Sequence, residues 1–138
     1  MANKYMTLSV RMLNAAGTPD DIRVSFGRNV RLVGVLCVPN VATAAHATNY
    51  AIVSVTDGTT SLWTWSTLSS ADGAFVEGTP VGVSPYATVG SIKALTASAS
   101  GSQDVDQDGS FEIVSDQTNG TGAAIDCTVV IIAEPISA

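Results

Sequence analysis

The chain has 138 residues, of which 46% are hydrophobic and only 13% charged, and its formal net charge is −6. This length suits one domain with a substantial core and is short for two. The six Lys and Arg residues, grouped only at Arg23, Arg28 and Arg31, argue against binding to nucleic acid or to an anionic membrane surface.

The amino-terminal segment lacks the apolar run of a signal peptide, and no stretch has the roughly 18 apolar residues of a membrane span. We therefore expect a soluble protein that is synthesised in a cytoplasm. Residues 5–13 and 22–26 alternate apolar and polar side chains, which is typical of half-buried strands. We expect residues 1–28 to form strands or an arm that contacts neighbouring subunits, and residues 29–138 to form a β-sandwich domain.

The stretch RNVRLVGVLCVPN, residues 28–40, is apolar on both faces of a predicted strand. The alternation assigns Val33, Val35 and Cys37 to one face and Leu32, Leu36 and Val38 to the other. Such a strand is either covered on both sides or lies at a subunit contact. Leu32, Leu36 and Val38 are therefore candidate interface residues.

A hairpin is predicted from NYAIVSVT to TSLWTWSTL, with Asp57-Gly58 as a two-residue turn. Trp63 and Trp65 share one face of the returning strand. Core or interface packing is the commoner role of such a pair, and a platform that stacks on sugars is the alternative. We include both tryptophans among the candidate interface residues.

The second half begins with a long connection, residues 69–87, which is rich in Gly, Ser and Pro. A weak strand near residues 88–100 follows, and strands are predicted over 111–116 and 123–135. About eight strands with turns between them indicate an all-β fold, a jelly roll or a related antiparallel β-sandwich.

The most specific local motif is SQDVDQDGSFE, residues 102–112, where Asp104, Asp106 and Asp108 occupy alternate positions before Gly109. These positions match the start of a calcium-binding loop. The Glu that ends an EF-hand loop is replaced by Ser115, and no helix flanks the motif. The three aspartates are thus candidate calcium ligands in a loop that braces the fold, and a solvated loop without a cation is the alternative.

Catalytic patterns are weak. The single histidine, His46, lies among alanines, and no G-x-S-x-G motif accompanies it. Cys37 and Cys127 lie in apolar strand sequences, where buried free thiols are expected. We predict that the protein is not an enzyme and requires no cofactor, although calcium is compatible with the aspartate loop.

Two stretches, RLVGVLCVPNVATAAHATNYAIVSVTDG and the closing AAIDCTVVIIAEP, resemble small virion proteins of tailed bacteriophages. In that family a strand ending in Val-Pro precedes a loop of Ala, Thr and Asn, a further strand and a tight turn. The resemblance covers residues 31–68 and 110–135. It implies a jelly-roll-like sandwich that decorates or cements a capsid, with the major capsid protein as partner.

By the same resemblance, the protein is expected to form a homotrimer that bridges capsomers on the capsid surface of the virion. A calcium-braced carbohydrate-binding module that uses Trp63 and Trp65 is the alternative function.

Overall fold

A computed structural model of the chain describes residues 5–85, 91–93, 95, 104–105 and 110–136, and every regular element in these ranges is a β-strand. The strands are β1 (Met6–Asn14), β2 (Asp20–Val24), β3 (Val30–Pro39), β4 (Tyr50–Thr56), β5 (Ser61–Ser66), β6 (Val81–Val83), β7 (Ser91–Ile92), β8 (Asp104–Val105), β9 (Phe111–Asn119) and β10 (Ile125–Pro135). Strands β7 and β8 have two residues each. The all-β prediction is confirmed.

The strands form two sheets that pack face to face. The first has the order β1-β10-β3-β6-β7, with β8 also paired to β3, and the second has the order β2-β9-β4-β5. All pairs are antiparallel except β6 with β7. Without the two shortest strands, the orders β1-β10-β3-β6 and β2-β9-β4-β5 are those of a jelly roll.

The core lies between the sheets and follows from period-two alternation. On β10, Cys127, Val129 and Ile131 point inward and are fully buried, while the residues between them are half-buried on the outer face. Strand β9 alternates in the same way, with Phe111 and Ile113 inward. Side chains from both inner faces therefore exclude water from one continuous core.

A β-bulge corrects the predicted faces of β3. Ile132 pairs with Gly34 but Ala133 pairs with Leu32, so Val33 is an extra residue on this strand. One extra residue exchanges the two faces of a strand. Leu32 therefore joins Val35 in the core, and Val33 does not share their inward face.

Two predicted connections also differ from the structure. The β4–β5 loop has four residues, 57–60, because Thr56 pairs with Ser61. Asp57 organises this loop, since its Oδ1 accepts hydrogen bonds from the backbone N–H groups of Thr59 (2.9 Å) and Thr60 (2.6 Å). The predicted long connection, residues 69–87, contains β6, a strand of three residues set between two prolines.

Strand β1 belongs to the first sheet and β2 to the second. Residues 6–14 and 20–24 of the amino-terminal segment are therefore integral to the sandwich. They are the outermost strands of their respective sheets, and the turn at residues 15–19 connects them.

Candidate functional site

The two tryptophans are core residues, which corrects their assignment to an interface or a sugar platform. Trp63 is 0% exposed and Trp65 is 7% exposed. The indole N–H of Trp63 donates to the carbonyl oxygen of Lys93 (3.0 Å), and that of Trp65 donates to the carbonyl oxygen of Gly73 (3.0 Å). Trp65 also stacks on Phe75 at a centroid distance of 6.0 Å. Neither ring face is available to a ligand or a partner.

Of the remaining candidate interface residues, Leu32 is buried in the core, and Leu36 and Val38 lie on the outer face of the first sheet. Leu36 pairs with Val130, so two half-buried apolar side chains are adjacent there. In the same row, Gly82 carries no side chain and pairs with Ile92, which is 66% exposed. Leu36 and Val38 therefore form a short apolar strip on the outer face of the first sheet.

An apolar recess lies at the end of the sandwich where β1 ends and β10 begins. Leu13 and Val41 are 62% and 56% exposed and flank a volume of about 440 Å³. The buried hydroxyl of Thr43 lines the recess and donates to the carbonyl oxygen of Ala124 (2.9 Å). Exposed large apolar side chains around a recess are a common feature of binding surfaces. The sequence did not reveal this recess because its walls come from three distant segments.

A charged network borders the recess. The guanidinium of Arg11 donates twice to the carboxylate of Asp126, at 3.0 and 2.8 Å, and the side-chain amide of Asn40 donates to the same carboxylate at 3.0 Å. These hydrogen bonds, with the nearby positive charge, lower the pKa of Asp126 to about 2. The network ties β1, β10 and the end of β3 together.

An acidic edge runs along β2 and β9. Asp20, Asp21 and Asp116 line a second recess of about 550 Å³. Arg23 contacts the carboxylate of Glu112 at 3.2 Å. The hydrogen bond between Asp21 and Glu112 raises the pKa of Glu112, and Arg23 opposes this change. The side chains meet because β2 pairs with β9, two strands far apart in the sequence.

The aspartate loop lies mostly outside the described residues. Asp104 begins β8, where its backbone pairs with Arg31, while Asp106 and Asp108 lie outside the described ranges. Among the residues that are described, no group of three or more His, Cys, Asp or Glu side chains is placed to hold a metal ion. The calcium prediction concerns residues beyond those ranges and stays a prediction.

Two thiols meet inside the core. Cys37 and Cys127 are both buried and free. A hydrogen bond with Cys127 and burial raise the pKa of Cys37 well above its ordinary value. A buried thiol with a raised pKa is a poor nucleophile.

The imidazole of His46 stabilises the loop that precedes β4. Its Nδ1 accepts hydrogen bonds from the backbone N–H groups of Thr48 (3.1 Å) and Asn49 (2.9 Å). Because Nδ1 is the acceptor, the neutral ring carries its proton on Nε2. The contacts made by this ring organise the start of β4.

Comparison with known proteins found no family model, curated protein or solved structure that matches this chain. In the ranges that the structure describes, no helix is long and apolar enough to span a membrane.

Proposed function

We propose that this chain is a structural virion protein that decorates or cements the capsid of a tailed bacteriophage, as a homotrimer that bridges capsomers. It acts on the capsid surface, its partner is the major capsid protein, and it performs no catalysis. The jelly-roll strand order is the observation that carries the proposal, because this architecture recurs in viral capsid domains. The sequence resemblance over residues 31–68 and 110–135 supports the same function.

The surface chemistry is consistent with a protein that binds other proteins. Only 13% of the residues are charged, and Leu13 and Val41 expose apolar surface beside a recess. Contacts of this kind gain stability from buried apolar area, with little contribution from charge. We assign the recess to the capsid contact.

Burial of Trp63 and Trp65 removes the binding surface of the carbohydrate-binding alternative. A module of that kind needs exposed ring faces, and both rings are enclosed by the core.

Cosedimentation with capsid shells tests the proposal. Purified protein is mixed with shells assembled from the major capsid protein of the same virus, and the bound protein is quantified. We expect saturable, stoichiometric binding that persists at high salt. The Leu13→Ser/Val41→Ser variant should bind at least tenfold more weakly, because polar side chains replace its apolar contacts.

Val76→Ser is the matched control, since Val76 is also exposed but does not line the recess. Wild-type protein that stays in the supernatant would refute the capsid function. Equal binding by the double variant and the control would refute the assignment of the recess.

A further inference from the structure

The two loops that flank β4 are organised in the same way by two different side chains. Before β4, Nδ1 of His46 accepts hydrogen bonds from the backbone N–H groups of Thr48 and Asn49, two and three residues further on. After β4, Oδ1 of Asp57 accepts from the backbone N–H groups at the same two spacings. This pattern is that of an Asx turn, in which Asp or Asn supplies the acceptor. His46 therefore performs with a ring nitrogen what Asp57 performs with a carboxylate oxygen.

The two acceptors differ in how they respond to pH. Histidine ordinarily gains its second proton between pH 8 and 5, and both nitrogens of the imidazolium carry hydrogen, so neither can accept a hydrogen bond. Nδ1 of His46 would then present a hydrogen to two N–H donors. The hydrogen bonds are thus present while the ring is neutral and are lost as the pH falls. Burial raises the pKa of Asp57, but hydrogen bonds from Thr60 and Thr59 outweigh burial and lower the pKa overall, so this acceptor persists.

The surroundings of the ring offer no compensation for a positive charge. The loop at residues 40–49 contains no other titratable side chain, and the β9–β10 turn at residues 120–124 contains none. The titratable side chains of the adjoining segments are Tyr50, Glu77 and Asp72, and Asp72 is already bound by the ammonium of Lys93 (2.6 Å). In the described part of the chain, no hydrogen bond of the His46 ring involves a charged group.

The residues that the ring holds lie directly on the β9–β10 turn. Oδ1 of Asn49 accepts a hydrogen bond from the backbone N–H of Thr121 (2.8 Å). Gly120 lies so close that an added Cβ would overlap Oδ1 of Asn49 and the carbonyl oxygen of Thr48. Loss of the hydrogen bonds to His46 therefore weakens the contact between residues 47–49 and this turn.

The rest of the loop is anchored independently of the imidazole. The backbone N–H of His46 donates to the carbonyl oxygen of Thr67 (3.2 Å), and its carbonyl oxygen accepts from the N–H of Ser69 (3.0 Å). Thr43 exchanges two backbone hydrogen bonds with Phe75, at 3.1 and 2.9 Å. These bonds do not depend on the protonation of the ring. A change at the ring is thus confined to residues 47–49 and leaves the wall of the recess at Thr43 in place.

We propose that His46 is a pH-sensitive switch in the loop between β3 and β4. The neutral ring holds residues 47–49 against the β9–β10 turn, and uptake of a proton releases them while the backbone anchors on both sides stay. The inference follows from the geometry of this loop and does not depend on the proposed capsid function.

Solution NMR tests the switch directly, because His46 is the only histidine of the chain. The ¹⁵N signals of the ring identify its tautomer and follow its protonation. We expect the Nε2–H tautomer at about pH 7.5, and amide signals of Thr48, Asn49 and Thr121 that move together with the titration of the ring down to about pH 5. Hydrogen-exchange protection of the Thr48 and Asn49 amides, corrected for the intrinsic effect of pH, should fall about tenfold, as expected for one or two net hydrogen bonds.

Controls within the chain separate the switch from a general effect of acid. The amides of Thr59, held by Asp57, and of Thr43, held by Phe75, should keep their protection over the same interval. An Nδ1–H tautomer at the higher pH, or a ring that gains its proton without moving the amide signals of Thr48 and Asn49, would overturn the inference.

Two variants complete the test. His46→Asn supplies an oxygen acceptor that does not titrate, so protection of the Thr48 and Asn49 amides should be retained at both pH values. His46→Ala supplies no acceptor, so protection should be low at both. A loss of protection with acid in His46→Asn equal to that of wild type, or wild-type protection in His46→Ala, would contradict the role of the ring.

Discussion

Replacing Trp63 tests whether this tryptophan stabilises the core or instead belongs to a ligand-binding surface. The side chain is 0% exposed, and its indole N–H donates to the carbonyl oxygen of Lys93. Removing a large buried aromatic side chain costs about 3–5 kcal/mol. Domains of this size are stable by about 5–15 kcal/mol, so Trp63→Ala should lose a large share of the free energy of unfolding.

Trp63→Phe separates volume from hydrogen bonding. Phenylalanine keeps most of the apolar contact but cannot donate to Lys93, so we expect a loss of about 2 kcal/mol. Urea unfolding followed by far-UV circular dichroism measures both variants, and the exposed Val76→Ala serves as the control, with a change within about 0.5 kcal/mol. A Trp63→Ala variant within about 1 kcal/mol of wild type would refute the core assignment.

Three further results are expected. Gly82→Ala should destabilise the protein by about 3 kcal/mol or more, because φ is +131° and the added Cβ would overlap the carbonyl oxygen of Val35 on β3. Gly17→Ala, at φ +80° with open space around it, should cost about 1 kcal/mol in the same urea assay. Equal costs for the two variants would contradict this explanation. The folded pKa of Asp126 is about 2, below its ordinary 3.8, so its ion pair stabilises the fold above pH 4 and is lost as the pH falls towards 2. The stability difference between wild type and Asp126→Asn should therefore shrink over that interval of a pH-dependent melting series, and a constant difference would contradict the role of the ion pair. Native protein should leave Cys37 and Cys127 unreactive towards a thiol reagent such as an aromatic disulfide, and denatured protein should titrate two thiols; rapid native reaction would contradict their burial.

Alternation of apolar and polar residues predicted most of the fold. β4 and β9 bury every second side chain, β10 does so as far as Ile131, and β1 alternates less exposed with exposed side chains, so the sequence pattern predicts the two faces of each strand. β6 was missed because three residues between prolines are too few to show alternation.

The faces of β3 could not be predicted from the sequence. The bulge at Val33 depends on how β3 pairs with β10, which lies about a hundred residues further along the chain. A strand that is apolar on both faces gives no sign of such a shift. The tryptophans were ambiguous for a related reason, because alternation places them on one face without showing whether that face is inward.

The surface proposed for capsid binding is assembled from segments that are distant in the sequence. The recess at Leu13 and Val41 joins the ends of three segments. It has no motif, since each residue taken alone is an ordinary apolar strand or loop residue.

Quantitative mass spectrometry of purified virus particles tests the proposed capsid function most directly. If the chain decorates a capsid, purified particles should contain it at a fixed ratio to the major capsid protein that survives repeated density-gradient purification. Particles that lack the chain, or carry it at a ratio that falls with each purification step, would contradict the proposed function.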